Sequence, residues 1–426
     1  MAYFLFLAGL FLIPFESLPI TISPGWNAIA YLPFLLSFLL LFKQPLYSAL
    51  LAKVWQSSAC KKISLVATLL AATTLIGYAI YGLPPIRDLA EGLIKVFLLC
   101  MLASLFLYFN TFLKRDIARQ LLFLASAYSV SLLVGVLSRF GTVVPLLANY
   151  RGGIDSLGNG KNPFTFSEPS FAGPHLIFVL LMLYISFDIR RSPGWKCLAL
   201  VYTLFILFVV YDASALRPVI DSALSILLLV IFRARRYLSV ILATPGKISK
   251  WSLLLISSAL ALFIIVAFAA SQDSARLSGL LTRIEFIDRD PSSMIRRLRV
   301  EIPLNSISSD FQIAVSGAGF SNLCNMTRAL PGIDQYSSLL SRFPEFQSIL
   351  LQGCIDQSYS GHVFLLGSFG CLGYFLILWS LYNKQLVPIA LLLVLVLFQF
   401  ESPAYYGVGV YLWKHFESRL RDRVIA

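Results

Sequence analysis

Glu168 is followed by a proline and then by an apolar run, so it stands where a helix begins. A carboxylate there faces the positive end of the helix, which favours its ionised form. Its plain role is a cap. Its chemical role would be a general base, or a group that positions a sugar hydroxyl. Arg151 shares the same hydrophilic stretch and reads either as a solvated loop residue or as an anion contact. Arg217 opens a further apolar run, with Asp221 one turn later. That spacing fits an i,i+4 ion pair, and a guanidinium there also offers the two-pronged fork that suits a pyrophosphate. Arg296 and Arg297 are adjacent cations in a longer hydrophilic stretch, which closes at Ser360-Gly361-His362. His362 is either an interface residue or a second candidate base. His175, inside an apolar run, and His415, expected in a C-terminal tail, read as ordinary packed or tail histidines. Lys95 lies inside an apolar run, where a charge is a functional candidate, and Glu91 is available as its i,i−4 partner.

What must position these residues is a set of apolar helices. Hydrophobic residues make up 58% of the chain, charged residues 13%, and mean hydropathy is +0.80. Soluble domains carry about 25% charged residues, so the composition specifies an all-α, polytopic membrane protein with no separate soluble domain. At about 20 apolar residues per crossing, about twelve transmembrane helices are expected. They fall at 3–21, 27–42, 63–82, 89–109, 119–138, 172–188, 195–212, 214–232, 251–270, 361–381, 386–400 and 403–414. The first has no basic residue ahead of it and no small-residue cleavage site after it, so it is read as a retained helix. The single membrane domain, 1–426, then carries two hydrophilic excursions, a first functional loop at 139–171 and a large, partly helical loop at 271–359.

The net charge of +13 does not collect in the large loop, which holds eight arginines against nine acids. With the N-terminus in the cytoplasm, twenty Lys and Arg fall in inside loops and tails and five in the short outside loops. That bias orients the chain with both termini cytoplasmic and both hydrophilic stretches outside, and gives no support to nucleic-acid binding. Within the large loop, Asp290-Pro291 starts a helix with Ile295, Leu298 and Ile302 on one face, ending at Pro303. This basic amphipathic segment is suited to the membrane boundary. Gly317-Ala318-Gly319 reads as a turn. Cys324 and Cys354 are the two cysteines of that loop, and a disulfide between them is expected if it lies outside the cytoplasm. No Cys/His cluster has metal-ligand spacing, and no phosphate-binding glycine pattern sits in a strand-loop-helix context.

Three motifs carry a resemblance. They are Arg151-Gly152 with Phe166-Ser-Glu168-Pro-Ser170, then Asp212-Ala-Ser-Ala-Leu-Arg217, then a large loop with Arg296/Arg297 and Gly317-Ala-Gly319 closing on Ser360-Gly-His362. In order and spacing the set resembles the Wzy-type O-antigen and exopolysaccharide polymerases and the related WaaL-type O-antigen ligases. The resemblance implies a cofactor- and metal-independent glycosyltransferase of the bacterial inner membrane, with its active site on the periplasmic side. It would join polyprenyl-pyrophosphate-linked oligosaccharides, with membrane lipids and a chain-length regulator as further partners. Arg151, Arg217, Arg296 and Arg297 would hold the pyrophosphate, and Glu168 or His362 would be the base. The Phe-Ser-Glu-Pro-Ser run favours polymerase over ligase. A lipid-linked oligosaccharide flippase or other transporter is the reading from a different class. Scarce charge within the helices and the lack of an internal repeat weigh against it.

Overall fold

The computed structural model describes residues 1–16, 28–113, 116–140, 164–166, 171–211, 218, 221–227, 311–320, 322, 367–382, 388–389, 391–392 and 402–424. Among these residues there is no strand, and the elements they form are helices. In order they are α1 (Ala2–Leu12), α2 (Ala28–Phe42), α3 (Pro45–Gln56), α4 (Ser58–Tyr81), α5 (Ile86–Leu107), α6 (Ile117–Arg139), α7 (Ala172–Ile185), α8 (Pro193–Tyr211), α9 (Phe311–Ser316), α10 (Gly367–Leu381) and α11 (Ser402–Val424). Residues 221–227 form a further helical piece.

Among the described residues, three helices are long and apolar enough to cross a membrane: Ser58–Tyr81, Gly92–Thr111 and Ile117–Ser138. A fourth crossing is added if the bent pair Ile29–Phe42 and Pro45–Gln56 is taken as one span. In α4 only 11% of the most apolar stretch is buried, and Leu65, Leu69 and Leu75 are exposed. Such a surface would be driven out of water, so its natural solvent is lipid. The expected count of twelve spans extends beyond the described residues.

Several boundaries differ from the sequence expectation, each for a local reason. The first span was expected over 3–21, but α1 ends at Leu12. Pro14 has no N–H to continue the ladder, and the N–H of Glu16 goes instead to the carbonyl of Thr165 at 3.1 Å. Residues 43–62 were expected to be a basic loop, yet they contain α3 and the first turn of α4. Pro45 sits at the first position of α3, where a missing N–H costs nothing. Ser57 caps α4 by accepting from the Cys60 N–H at 3.2 Å. The α2–α3 junction turns through 98°. The last helix runs to Val424 rather than to 414, so His415 is in a helix, 4% exposed, and not in a tail. Lys414 and Glu417, one turn apart at 3.0 Å, help to carry that extension.

The core is aromatic where the helices cross. Phe6 of α1 sits 5.7 Å from Phe34 of α2 and 5.1 Å from Phe106 of α5, while Trp413 of α11 stacks on Phe106 at 6.1 Å. Tyr31 of α2 stacks on Tyr406 of α11 at 5.5 Å. The last helix therefore closes against the first ones, in spite of nearly four hundred intervening residues.

The described part of the large hydrophilic stretch is docked, not loose. Gly317 (φ 69°) and Gly319 (φ 96°) take the left-handed conformation that glycine alone tolerates easily, which makes the expected turn. The turn lies on α4: a Cβ at Gly77 would come within 2.5 Å of the Ala318 carbonyl carbon. Tyr78 donates to the Phe320 carbonyl, and the Asn322 amide donates to the carbonyls of Gly82 (3.0 Å) and Ala318 (2.8 Å). Because the Gly77 contact is backbone to backbone, no rotamer change can relieve it. Gly77→Ala should cost about 1–3 kcal/mol by overpacking. Thermal unfolding in detergent should show a lowered midpoint, and protease should cut near residues 311–322 faster than in the wild type.

Candidate functional site

The ionisable residues that the structure buries together come from the chain's first helix and from the start of α7. Glu16, just past the end of α1, is 3% exposed, and His175, in the first turn of α7, is 1% exposed. His175 Nε2 lies 3.2 Å from Glu16 Oε1, and its Nδ1 lies 2.8 Å from the Tyr128 hydroxyl of α6. A carboxylate can only accept from a ring nitrogen, so Nε2 carries a hydrogen. In the neutral imidazole Nδ1 then accepts from Tyr128. The buried hydroxyls of Tyr31 and Tyr406 are also within electrostatic reach of Glu16. One carboxylate, one imidazole and three phenols thus meet in an otherwise apolar bundle.

Phe164–Phe166 wedges this cluster in place. Phe166, fully buried, lies flat on the His175 ring at 4.3 Å and 15°. Thr165 Oγ1 is 2.6 Å from the Pro14 carbonyl oxygen and 2.7 Å from Ser131 Oγ. The Thr165 hydroxyl thus bridges the Pro14 carbonyl, which can only accept, and the Ser131 hydroxyl. Phe164 has φ 55°, the one non-glycine residue with positive φ among those described. Its ring fills the space that a side chain at position 135 would need, 2.4 Å from a Cβ built on Gly135, and contacts Phe205 at 4.7 Å. A small cavity beside the His175–Tyr128 bond is walled by Tyr202, Val201 and Phe205.

Asp221 approaches the same place from another direction. It is 6% exposed, and a Cβ at Gly173 would come within 2.2 Å of its Oδ2. Its carboxylate therefore lies against the first turn of α7, where a negative charge is favoured. Ser222 and Ser225 of the same piece donate to carbonyls one turn back, at 2.7 Å and 2.6 Å.

Most of the residues singled out from sequence are not among the described ones. Arg151, Glu168, Arg217, Arg296, Arg297, Cys324, Cys354 and His362 are outside the described residues, as is the helix expected at 290–303. What the structure adds is their surroundings in the chain. Phe166 and Phe171, both buried, stand on either side of residues 167–170, and Pro218 and Asp221, both buried, follow Arg217. His175 is packed, as expected, but against a carboxylate as well as an aromatic ring. Lys95 is in α5 and partly buried. Glu16 was not singled out, although a lone carboxylate ending a run of fifteen almost wholly apolar residues is a usable signal. Among the described residues no group of three or more His, Cys, Asp or Glu could hold a metal ion.

Chemically, the cluster can hold and orient a proton, and it can anchor the stretch that precedes Glu168. The anchor is testable through Thr165. Thr165→Val keeps the shape and removes the hydroxyl, stranding the Pro14 carbonyl and Ser131 in a buried place, at about 1–3 kcal/mol. Thr165→Ser should restore most of that loss in thermal unfolding of the detergent-solubilised protein. In comparisons with known proteins, no family model, no curated protein and no solved structure matches this chain.

Proposed function

We propose that this chain is a membrane glycosyltransferase that joins undecaprenyl-pyrophosphate-linked oligosaccharide units into a longer surface polysaccharide. It would work at the outer face of a bacterial inner membrane, with both termini cytoplasmic. The observation that carries the reading is how the hydrophilic stretches are anchored. Phe164–Phe166 is inserted beside a buried carboxylate–histidine pair immediately before Glu168, and Gly317–Asn322 is fastened to the end of α4. By alternation of spans, the ends of α1 and α4 fall on the same side. An enzyme acting on lipid-held sugars needs polar loops fixed at a bundle end, with the polyprenyl tails left in lipid. Arg151, Arg217, Arg296 and Arg297 would neutralise the leaving pyrophosphate. Glu168 or His362 would take the proton from the attacking hydroxyl. The step then needs neither nucleotide sugar nor metal. A ligase would run the same chemistry with lipid A-core as the acceptor.

A second reading is favoured by one observation. A buried carboxylate paired with a histidine inside a membrane bundle is also what a proton-coupled transporter carries, and Glu16–His175 is such a pair. Reconstitution with undecaprenyl-pyrophosphate oligosaccharide, with and without lipid A-core, separates the readings. Longer lipid-linked chains support the polymerase, and transfer to core supports the ligase. Translocated but unextended substrate supports transport.

Within the enzyme reading, Arg217→Lys keeps the charge but loses the fork, and Glu168→Gln keeps the shape but loses the base. Arg151→Ala removes a cation. Each should lower polymerisation about 10²–10³-fold at unchanged protein level. Wild-type chain lengths from all three variants would overturn the assignment of these residues.

A further inference from the structure

Four lysines gathered around α3 have no part in the glycosyl-transfer step proposed above. Lys43 stands between α2 and α3, Lys53 is in the last turn of α3, and Lys61 and Lys62 lie in the first five residues of α4. All four are exposed, and none is in an ion pair among the described residues. No Asp or Glu occurs in 43–62. Lys61 and Lys62 sit near the positive end of a helix that has no acid in its first turn. We propose that α3 lies in the plane of the membrane and, with the start of α4, forms a binding surface for the headgroups of anionic phospholipids.

The bend between α2 and α3 sets the direction of α3. No charged residue occurs in α2, which packs on α5, and the Gly92–Thr111 part of that bundle is long and apolar enough to cross. At 98° to α2, α3 runs along the membrane surface when α2 runs along the bilayer normal. The 24 residues of α4 make about 36 Å of helix, enough to cross a hydrocarbon layer of about 30 Å without help from α3. The 12 residues of α3 span about 18 Å. Turned along the normal, they would carry Lys43 or the Lys61–Lys62 pair more than half-way into the hydrocarbon, where a lysine is costly. In the plane, all four lysines stay at headgroup level.

Contacts with the bundle hold α3 in that attitude. Tyr47 and Leu50 are buried, and the Tyr47 hydroxyl lies 2.5 Å from Ser104 Oγ of α5. The Tyr47 ring meets Tyr108 at 5.2 Å, and the Tyr108 hydroxyl donates to Gln44 Oε1 at 2.8 Å. Away from these contacts, Leu46 is 53% and Trp55 68% exposed. Tryptophan beside lysine on one short helix suits the layer where hydrocarbon meets headgroups. The exposed apolar surface continues into Leu65 and Leu69 of α4, so lipid is the occupant that covers both. There the lysine stems lie along apolar surface while their ammonium groups reach outward. A fixed set of such groups attracts headgroups that carry net negative charge over those that carry none.

The inference rests on the chain being a membrane protein and not on its being an enzyme, so its test reads no glycosyl transfer. Full-length protein carrying 5-fluorotryptophan is held in an uncharged detergent, and fluorine NMR follows its six tryptophans. Trp55 is identified by its absence in Trp55→Phe. Phosphatidylglycerol and phosphatidylcholine, each with a nitroxide near the glycerol end of one acyl chain, are titrated in separately. The anionic lipid should broaden the Trp55 signal at a concentration about tenfold lower than the zwitterionic one. Raising ionic strength from about 0.1 M to about 1 M should remove most of that preference. The combined variant Lys43→Gln, Lys53→Gln, Lys61→Gln, Lys62→Gln should lose it, and Lys→Arg at the same four positions should keep it. Equal broadening by the two lipids in the wild-type protein overturns the proposal, as does no broadening by either. So does a preference that survives the glutamine variant. Relief of the broadening by soluble glycerol phosphate at the lipid's own concentration would also overturn it, by marking a site for free phosphate. The wild-type comparison decides the matter even if the glutamine variant does not fold.

Discussion

A buried carboxylate in a lipid-facing bundle must be held by its neighbours or it will not stay charged, and that requirement organises the described half of this chain. Glu16 draws His175 to it, His175 draws Tyr128, and Phe166 covers the ring. Each of these residues belongs to a different segment: the end of α1, the start of α7, the middle of α6, and the 164–166 wedge. Hydrophobic packing alone is non-directional and would tolerate several rotations of apolar helices about their axes. Hydrogen bonds to a single carboxylate and a single imidazole are directional, so they select one rotation of α6 and α7 relative to α1.

The bundle around that cluster is suited to lipid more than to water. Its helices expose leucines along their length, as α4 does, while rings are collected at the crossings of α1, α2, α5 and α11. In lipid there is little hydrophobic gain from pressing leucine against leucine, so contact is made by shape and by small residues. Gly9 receives the face of Phe34, Gly135 receives Phe164, and Gly194 approaches the Ala118 carbonyl of α6. At these three places the missing side chain is what lets a ring or a backbone come close.

The class of fold and many helix boundaries are legible in the amino-acid sequence, because twenty apolar residues in a row have few other uses. The α4, α5 and α6 helices fall within a few residues of their expected spans. What periodicity cannot register is the helix that lies across its neighbours. Residues 45–56 are too short and too mixed to read as a crossing, and their single lysine among apolar and polar residues passes for a loop until Pro45 and the cap at Ser57 are considered together. The site divides in the same way. His175 is visible as a packed histidine from its apolar setting. Its partner is invisible, because a separation of 159 positions in sequence makes the contact of Glu16 and His175 a property of topology and not of spacing. The six residues assigned to the base and to the pyrophosphate were found by type and motif, and all of them lie outside the described residues.

Phe164 shows how far the wedge is set by its surroundings and not by its own preference. An aromatic residue at φ 55° is held in a conformation that costs on the order of 1–3 kcal/mol, and such a residue persists when neighbours over-determine it. Here they do. Its ring is seated in the gap left by Gly135 and against Phe205, while the next residue is bonded to Pro14 and Ser131 and the one after lies on His175. Three consecutive residues are thus tied to α6 and α8, to the end of α1, and to α7, which leaves the backbone no room to relax at any of them. A left-handed turn at this point is the geometric consequence of sending successive side chains to different helices. The strain is stored beside the buried Glu16–His175 pair, which links the end of α1 to α7, in the three residues that lead into the Ser-Glu-Pro-Ser stretch.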